Sequence, residues 1–252
     1  MRRALKIAGA VVGVLIVAVV ALLVGTFAGR PGVPEGRDLP GGSRLVKDGY
    51  VAAFVIPVGE GTVALVDCGN DHDAKALLAE LARRNVRPEN VVAIFLTHGH
   101  PDHVAGCHAF TKAVVYAMGS EADLLEGKAA RRSPISWVMP RKDSGVRIGK
   151  PLRDGDVVQV GTATVTAYEV PGHTRGSAAY LSSSVLYLGD SADAKKDGSM
   201  QGAVWLFSDD TSQNKASLSA LARRLETQDV KALAFAHTGV LEGATALRAL
   251  AK

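Results

Sequence analysis

Apolar residues divide the chain into two unequal parts. Residues 7–29, IAGAVVGVLIVAVVALLVGTFAG, form one uncharged run with no polar face. A helix needs about 20 apolar residues to cross a bilayer, and a helix apolar all round belongs in lipid or in a large core. The run therefore predicts a single membrane-spanning anchor. Residues 1–6 hold Arg2, Arg3 and Lys6, and the positive-inside rule keeps that basic end in the cytoplasm and puts the rest outside. The alternative is a signal segment cleaved near Thr26-Phe27-Ala28, giving a secreted or periplasmic protein. Cleaved signals have shorter apolar cores, about 7–15 residues. Residues 30–43, RPGVPEGRDLPGGS, are rich in Pro and Gly and read as a linker. A folded domain is expected over residues 44–252.

Beyond the linker the apolar runs are short. Residues 51–58 and 62–67 read as two strands around a Gly-Glu-Gly turn. Leu77, Leu78 and Leu81 have helical spacing within residues 73–85, and Asp71 or Asp73 can cap that helix. Residues 91–96 are a continuous apolar run, the pattern of a strand buried on both faces. A helix over 104–112, a strand over 113–118 and a helix over 120–126 follow. Residues 127–153 read as a long loop over the site, with mobile surface insertion as the alternative. Residues 157–160 and 163–170 predict a hairpin, with Ala163, Val165 and Ala167 alternating against Thr164, Thr166 and Tyr168. Strands over 178–181, 185–188 and 233–236 and helices over 214–228 and 244–251 complete the pass.

Charge narrows the function classes. The net charge is +4 over 252 residues, but removing Arg2, Arg3 and Lys6 leaves +1 for the remainder. A nearly neutral domain offers no phosphate-binding field, so no nucleic-acid partner is expected and the partner is a small-molecule substrate.

The chemistry is concentrated in Thr97-His98-Gly99-His100-Pro101-Asp102-His103, directly after the strand at 91–96. Three imidazoles and a carboxylate at this density suit a borderline divalent ion such as zinc. His98 and His100, two apart in an extended loop, point the same way and can share one metal. Asp102 and His103 are displaced enough to serve a second. His173 in Pro-Gly-His-Thr-Arg-Gly-Ser, Asp190 in Leu-Gly-Asp and His237 in Ala-His-Thr-Gly each follow a predicted strand. His72 and His108 fall outside the pattern and read as surface or helix residues. Cys68 and Cys107 read as small buried thiols, with a disulfide as the alternative in an oxidising compartment.

On these motifs, HxHxDH, PGHTxGS, GD and a late His, residues 44–237 resemble the metallo-β-lactamase superfamily. The resemblance implies an α/β fold, an αββα four-layer sandwich, here preceded by one N-terminal transmembrane helix, with the site at one edge. It implies that His98, His100 and His173 hold one metal, that Asp102, His103 and His237 hold the other, and that Asp190 bridges both. Asp67, in Val-Asp-Cys-Gly, supports the site from behind the ligands. The cofactors expected are two divalent ions, zinc first, with Fe or Mn as alternatives. They would acidify a water held between them and polarise the carbonyl it attacks, with Asp102 as the catalytic proton acceptor.

Departures within the family set the substrate expectation. β-Lactamases of this superfamily generally have Cys or Ser in place of Asp190. Only residues 238–252 follow His237, too short for the helical substrate domain of glyoxalase II-type enzymes. The expectation is a hydrolase for a small ester, thioester or lactone. Trp137, Val138 and Met139 favour an apolar acyl group, and Arg131, Arg132, Arg141 and Lys142 an anionic tail; these stay open. The rivals are a mononuclear iron enzyme like the persulfide dioxygenases, a β-lactamase, and a non-catalytic binding domain.

Overall fold

The computed structural model describes residues 2–129, 132–138 and 142–251, with the backbone alone for residues 2–11. Two mixed sheets form its centre. The first runs in chain order: Gly36–Asp38, Arg44–Asp48, Val51–Gly59, Thr62–Val66, Val91–Phe95, Val114–Met118 and Lys150–Leu152. Its first four strands are antiparallel to one another, and from Thr62–Val66 onward the pairings are parallel. The second is ordered Gly239–Glu242, Ala232–Phe235, Val185–Gly189, Ala178–Ser182, Ala163–Glu169 and Val157–Val160. Within it only Val185–Gly189 and Ala232–Phe235 pair in parallel.

Three apolar clusters hold four layers together. Between the sheets, Phe54 meets Tyr187 at 5.1 Å and Phe95 meets Tyr180 at 5.3 Å between ring centroids, all four buried. Aromatic pairs at such distances add about 0.5–1.5 kcal/mol beyond their burial. The Tyr180 hydroxyl donates to the Leu96 carbonyl at 2.7 Å, stitching one sheet to the other. Leu77 and Leu81 of the helix Lys75–Arg83 cover the outer face of the first sheet. Leu218 and Leu221 of the helix Thr211–Arg224 cover the second. This is the αββα sandwich expected.

The differences have local causes. Residues 104–112 do not form one helix. A turn of helix, Pro101–Val104, opens on Pro101, whose fixed φ suits a first helical turn, and the tighter turn Ala105–Ala109 follows. There a Cβ on Gly106 would lie 2.4 Å from the Cys68 carbonyl oxygen, so only glycine fits where the turn passes its neighbour. The helix expected at 214–228 occupies Thr211–Arg224 instead. Asp210 accepts a bond from the Gln213 amide at 2.9 Å and fixes its start. The stretch read as a linker is largely fastened down: Gly36–Asp38 pairs with Arg44–Asp48 on the edge of the first sheet.

Arg2–Phe27 is a single helix of 26 residues. From Val12 on its apolar side chains are exposed. Among the described residues no helix is long and apolar enough to cross a membrane, so the transmembrane part of the expectation finds no support in the fold.

Candidate metal centre

Parallel pairing delivers the candidate ligands to one edge. Asp67 follows Thr62–Val66 and the segment 97–103 follows Val91–Phe95, which lie side by side in parallel. Asp190 follows Val185–Gly189 and His237 follows Ala232–Phe235, the parallel pair of the second sheet. Carboxyl ends of parallel neighbours open on the same side, where α/β proteins place their sites. Gly189 has φ +53°, and a Cβ there would lie 2.5 Å from the Thr97 hydroxyl oxygen. Only glycine lets the two sheets' loops approach this closely.

Hydrogen bonds aim His98, His103, His173 and His237. Asp67 is buried, in the left-handed region at φ 57°, a cost that its bonds repay. Its carboxylate accepts from the Thr97 amide at 2.8 Å and the Thr97 hydroxyl at 2.7 Å, and faces His103 Nδ1 at 2.8 Å. The Thr97 hydroxyl, its proton committed to Asp67, accepts from His98 Nδ1 at 3.1 Å. Ser208 Oγ donates to the Val204 carbonyl at 2.7 Å and so accepts from His173 Nδ1 at 3.1 Å. His237 Nδ1 donates to the Tyr50 carbonyl at 3.0 Å, and the Tyr50 ring stacks on the imidazole at 5.8 Å. In His98, His103, His173 and His237 the Nδ1 proton is thereby spoken for, which leaves each Nε2 lone pair directed into the centre. Imidazoles that ligate metals are held in this way.

Two groups of ligand atoms result. His98, His100, His173 and Asp190 form one, and Asp102, His103 and His237 the other, each with its atoms within 4.8 Å of one another. His173 Nε2 lies 3.2 Å from His98 Nε2 and 3.0 Å from His100 Nδ1. Asp190 stands between the groups, 3.5 Å from His173 Nε2, 3.3 Å from His103 Nε2 and 3.2 Å from His237 Nε2. Asp102 is 3.6 Å from His237 Nε2. The structure thus brings the seven residues together at one edge. The donor set fits divalent cations: among the described residues, buried His103 Nε2 and Asp190 Oδ1 face each other without a hydrogen-bond partner. Two lone-pair atoms orphaned at that separation need a cation or a proton.

The electrostatics follow from crowding around Asp190. Burial, reinforced by the surrounding imidazoles, holds His98 well below the usual histidine range. Burial likewise holds His173 down to about 4. Burial works against His103 too, but the Asp190, Asp67 and Asp102 carboxylates hold it well above its ordinary value. His237 is raised to about 9 against its burial, chiefly by Asp190. Asp190 is held well below the carboxylate range, because His237 and His103 outweigh its burial. His98 and His173 stay neutral, ready to ligate, while His103 and His237 carry the pull of the carboxylates around them.

Sequence reasoning missed Glu121. It is fully buried and braces both ligand loops: Oε1 accepts from the Gly99 amide at 2.7 Å, Oε2 from the Gly176 amide at 2.8 Å and the Thr174 hydroxyl at 3.0 Å. Gly99 lies between His98 and His100, and Thr174 follows His173. Burial raises its carboxyl to about 7 although these three bonds oppose the shift. The available signal was an acid just beyond the parallel strand Val114–Met118, the placement shared by Asp67 and Asp190. His72 and His108 stack on each other at 4.3 Å. Cys68 and Cys107 are buried free thiols.

A cavity of ≈ 630 Å³ opens over His100, Asp102, Asp190 and His237. Residues 127–153 do reach it, through Ser133 and Ile135. Trp137 and Val138, expected to shape it, do not line it and stand in solvent, Trp137 93% exposed. Arg132 and Lys142 are exposed and also lie off the lining. Arg131, Met139 and Arg141 lie outside the described residues.

A sandwich of two mixed sheets with a His/Asp ligand set at one edge defines a class of metalloprotein. The profile described as the metallo-beta-lactamase superfamily matches residues 46–237, and the chain belongs to that family. It is similar to a hydroxyacylglutathione hydrolase of Cereibacter sphaeroides, 34% identical over 149 residues, 58% of this chain and 49% of the relative. It is also similar to one of Fuscovulum blasticum, 33% identical over 183 residues, 70% of this chain and 58% of the relative. The chain thus spans about half the length of the curated relatives it matches. Among solved structures, a B3 metallo-beta-lactamase with an active-site glutamic acid superposes with a TM-score of 0.67 at 20% identity, covering 90% of each chain. MIM-1 from Novosphingobium pentaromativorans gives 0.65 at 21%, covering 88% of this chain and 86% of its own. At such identity these likenesses concern the fold.

Proposed function

We propose that the chain is a two-metal hydrolase of small esters, thioesters or lactones. The observation that carries this is the set of four Nδ1-anchored imidazoles whose Nε2 atoms converge with His100 Nδ1 and two carboxylates. His98, His100 and His173 would hold one ion, Asp102, His103 and His237 the other, with Asp190 facing both. Imidazole with carboxylate suits zinc. Such ions supply Lewis-acid polarisation of the scissile carbonyl and acidify the attacking water.

The chain's own residues do the rest. In the net reaction water oxygen bonds to the acyl carbon and the acyl–oxygen or acyl–sulfur bond breaks. Asp102, which lines the cavity, takes the proton from the water at a carboxylate oxygen and returns it to the leaving group. Tyr50, stacked on His237, keeps that ring in place and narrows the mouth beside Asn70, its hydroxyl donating to Asn70 Oδ1 at 3.3 Å. The hydroxyacylglutathione hydrolases among the relatives favour a thioester within this class.

The uncharged run at 7–29 and the basic residues before it support, from the sequence, a membrane anchor with the domain outside. Protease added to intact cells, with any outer membrane opened, then removes the domain; full protection, or a mature protein starting after Ala28, defeats that part.

The chemistry is tested by kcat/KM on a lactone, a thioester, an aryl ester and a cephalosporin, side by side. The thioester or ester is expected to lead. A cephalosporin turned over fastest contradicts the substrate reading, and one iron per chain with no hydrolysis points to the oxygenase.

A further inference from the structure

The segment just past the N-terminal helix is fastened to the domain at the active site. Arg30, 11% exposed, reaches Asp193 Oδ2 at 3.0 Å, and Asp193 is buried. The Lys196 amide donates to the Gly29 carbonyl at 2.9 Å. Trp205 Nε1 donates to the Thr26 hydroxyl at 3.2 Å, and the Phe27 and Phe207 rings lie 6.3 Å apart. These contacts carry residues 27–32 across the cavity mouth, so that Phe27, Arg30, Pro31 and Gly32 line the same space as the metal ligands.

The cavity lining is of two kinds. Asp102, Asp190 and His237 are candidate ligands, and Phe27, Ile135, Val204 and Phe207 are apolar, with the Phe27 and Phe207 rings side by side. Among the described lining residues the only Lys or Arg is Arg30, and its charge is met by Asp193. The described part of this lining thus offers apolar surface, and among the described lining residues no Lys or Arg is left without a partner. A site of ≈ 630 Å³ is within the usual range for a small molecule, and apolar lining with a few convergent polar groups is the usual design.

We propose that residues 27–32 are a structural wall of the active site, and that the site takes acyl substrates whose aliphatic chain lies along Phe27, Ile135, Val204 and Phe207 with the scissile carbonyl at Asp102 and Asp190. This rests on the hydrolase reading for the reaction but not for the binding. Phe27 ends the apolar helix, so a chain leaving the cavity past Phe27 runs onto an apolar surface.

The test uses the full-length, metal-loaded protein with Phe27→Ala and Phe207→Ala, all in one detergent. Two series are measured from butanoyl to decanoyl: kcat/KM on acyl thioesters, and calorimetric affinity for the free fatty acids. Burial of each methylene is worth about a fourfold gain, so burying only two or three of the six methylenes that separate decanoate from butanoate should already tighten binding ~30-fold in the native protein. Each substitution should flatten both gradients severalfold. Partition into detergent is common to all three proteins and cancels. A flat series in the native protein, or a gradient that survives both substitutions, overturns the proposal. A steep binding gradient erased by the substitutions, without any hydrolysis, upholds the wall and defeats the hydrolase reading instead. Hydrolysis with flat gradients does the reverse.

Discussion

The two ligand trios are built differently. His98, His100 and His173 are all buried, packed ring against ring at 4.6–4.7 Å. Thr97, Ser208 and Glu121 fix their loops from behind. Asp102 and His237 are partly exposed and line the cavity; in their trio only His103 is fully enclosed. The first trio presents three buried imidazoles, of which only His100 lines the cavity. The second has a carboxylate in reach of water and a histidine pulled up by Asp190. On the proposed function, one half would retain a cation and the other would present reacting groups.

That division makes graded predictions. The largest effect should follow from His100→Ala. Loss of a ligand must exceed the 10- to 100-fold expected for losing a supporting partner, so the first ion should be lost and kcat/KM fall more than ~100-fold. Metal content and turnover measured together check this. Next, Asp102→Asn should lower kcat on the order of 10²–10⁴-fold while the first ion stays bound; equal loss of both ions would erase the distinction between the trios.

Glu121→Gln should act on the first trio alone. An amide offers one acceptor oxygen where two are used, so one of the Gly99 and Gly176 amides loses its partner. Metal affinity there should fall about 10- to 100-fold, with the second trio little changed. The same variant carries a pH signature. The folded carboxyl titrates at about 7, above its unfolded value. Its contribution is fully present below about pH 4.5 and is lost as pH rises through 7. Denaturant unfolding of the metal-free protein should show native stability declining over that window relative to Glu121→Gln, by on the order of 3 kcal/mol. The smallest effect is expected from Ser208→Ala, which frees His173 Nδ1: about tenfold in affinity at the first trio, read by competition with a chelator.

Much of this centre was legible because ligands sit directly after runs that can only be buried strands. The run at 91–96 announces its strand by continuous apolarity, and His98 follows at once. Asp67, Asp190 and His237 repeat that relation. Glu121 obeys it as well, but one acid in a segment of mixed character carries no local mark of its partners, Gly99 and Gly176. Those are 22 and 55 positions away, set by packing of the sheets. Ser208 and the Tyr50 carbonyl are hidden for the same reason. The edge strand Gly36–Asp38 was masked by its Pro- and Gly-rich surroundings, since its pairing comes from Arg44–Asp48 and not from its own propensity. The short pair Ala192–Ala194 and Met200–Gly202 has too few residues for a period to show.

The most direct test of the two-trio account is metal stoichiometry of the natively purified full-length chain, by elemental analysis, beside His100→Ala and His237→Ala. The account predicts about two divalent ions per chain, chiefly zinc, and one in each variant, with the ion remaining in His237→Ala the harder to strip by chelator. A single iron with no zinc in the native protein, or variants that each lose both ions together, would contradict it.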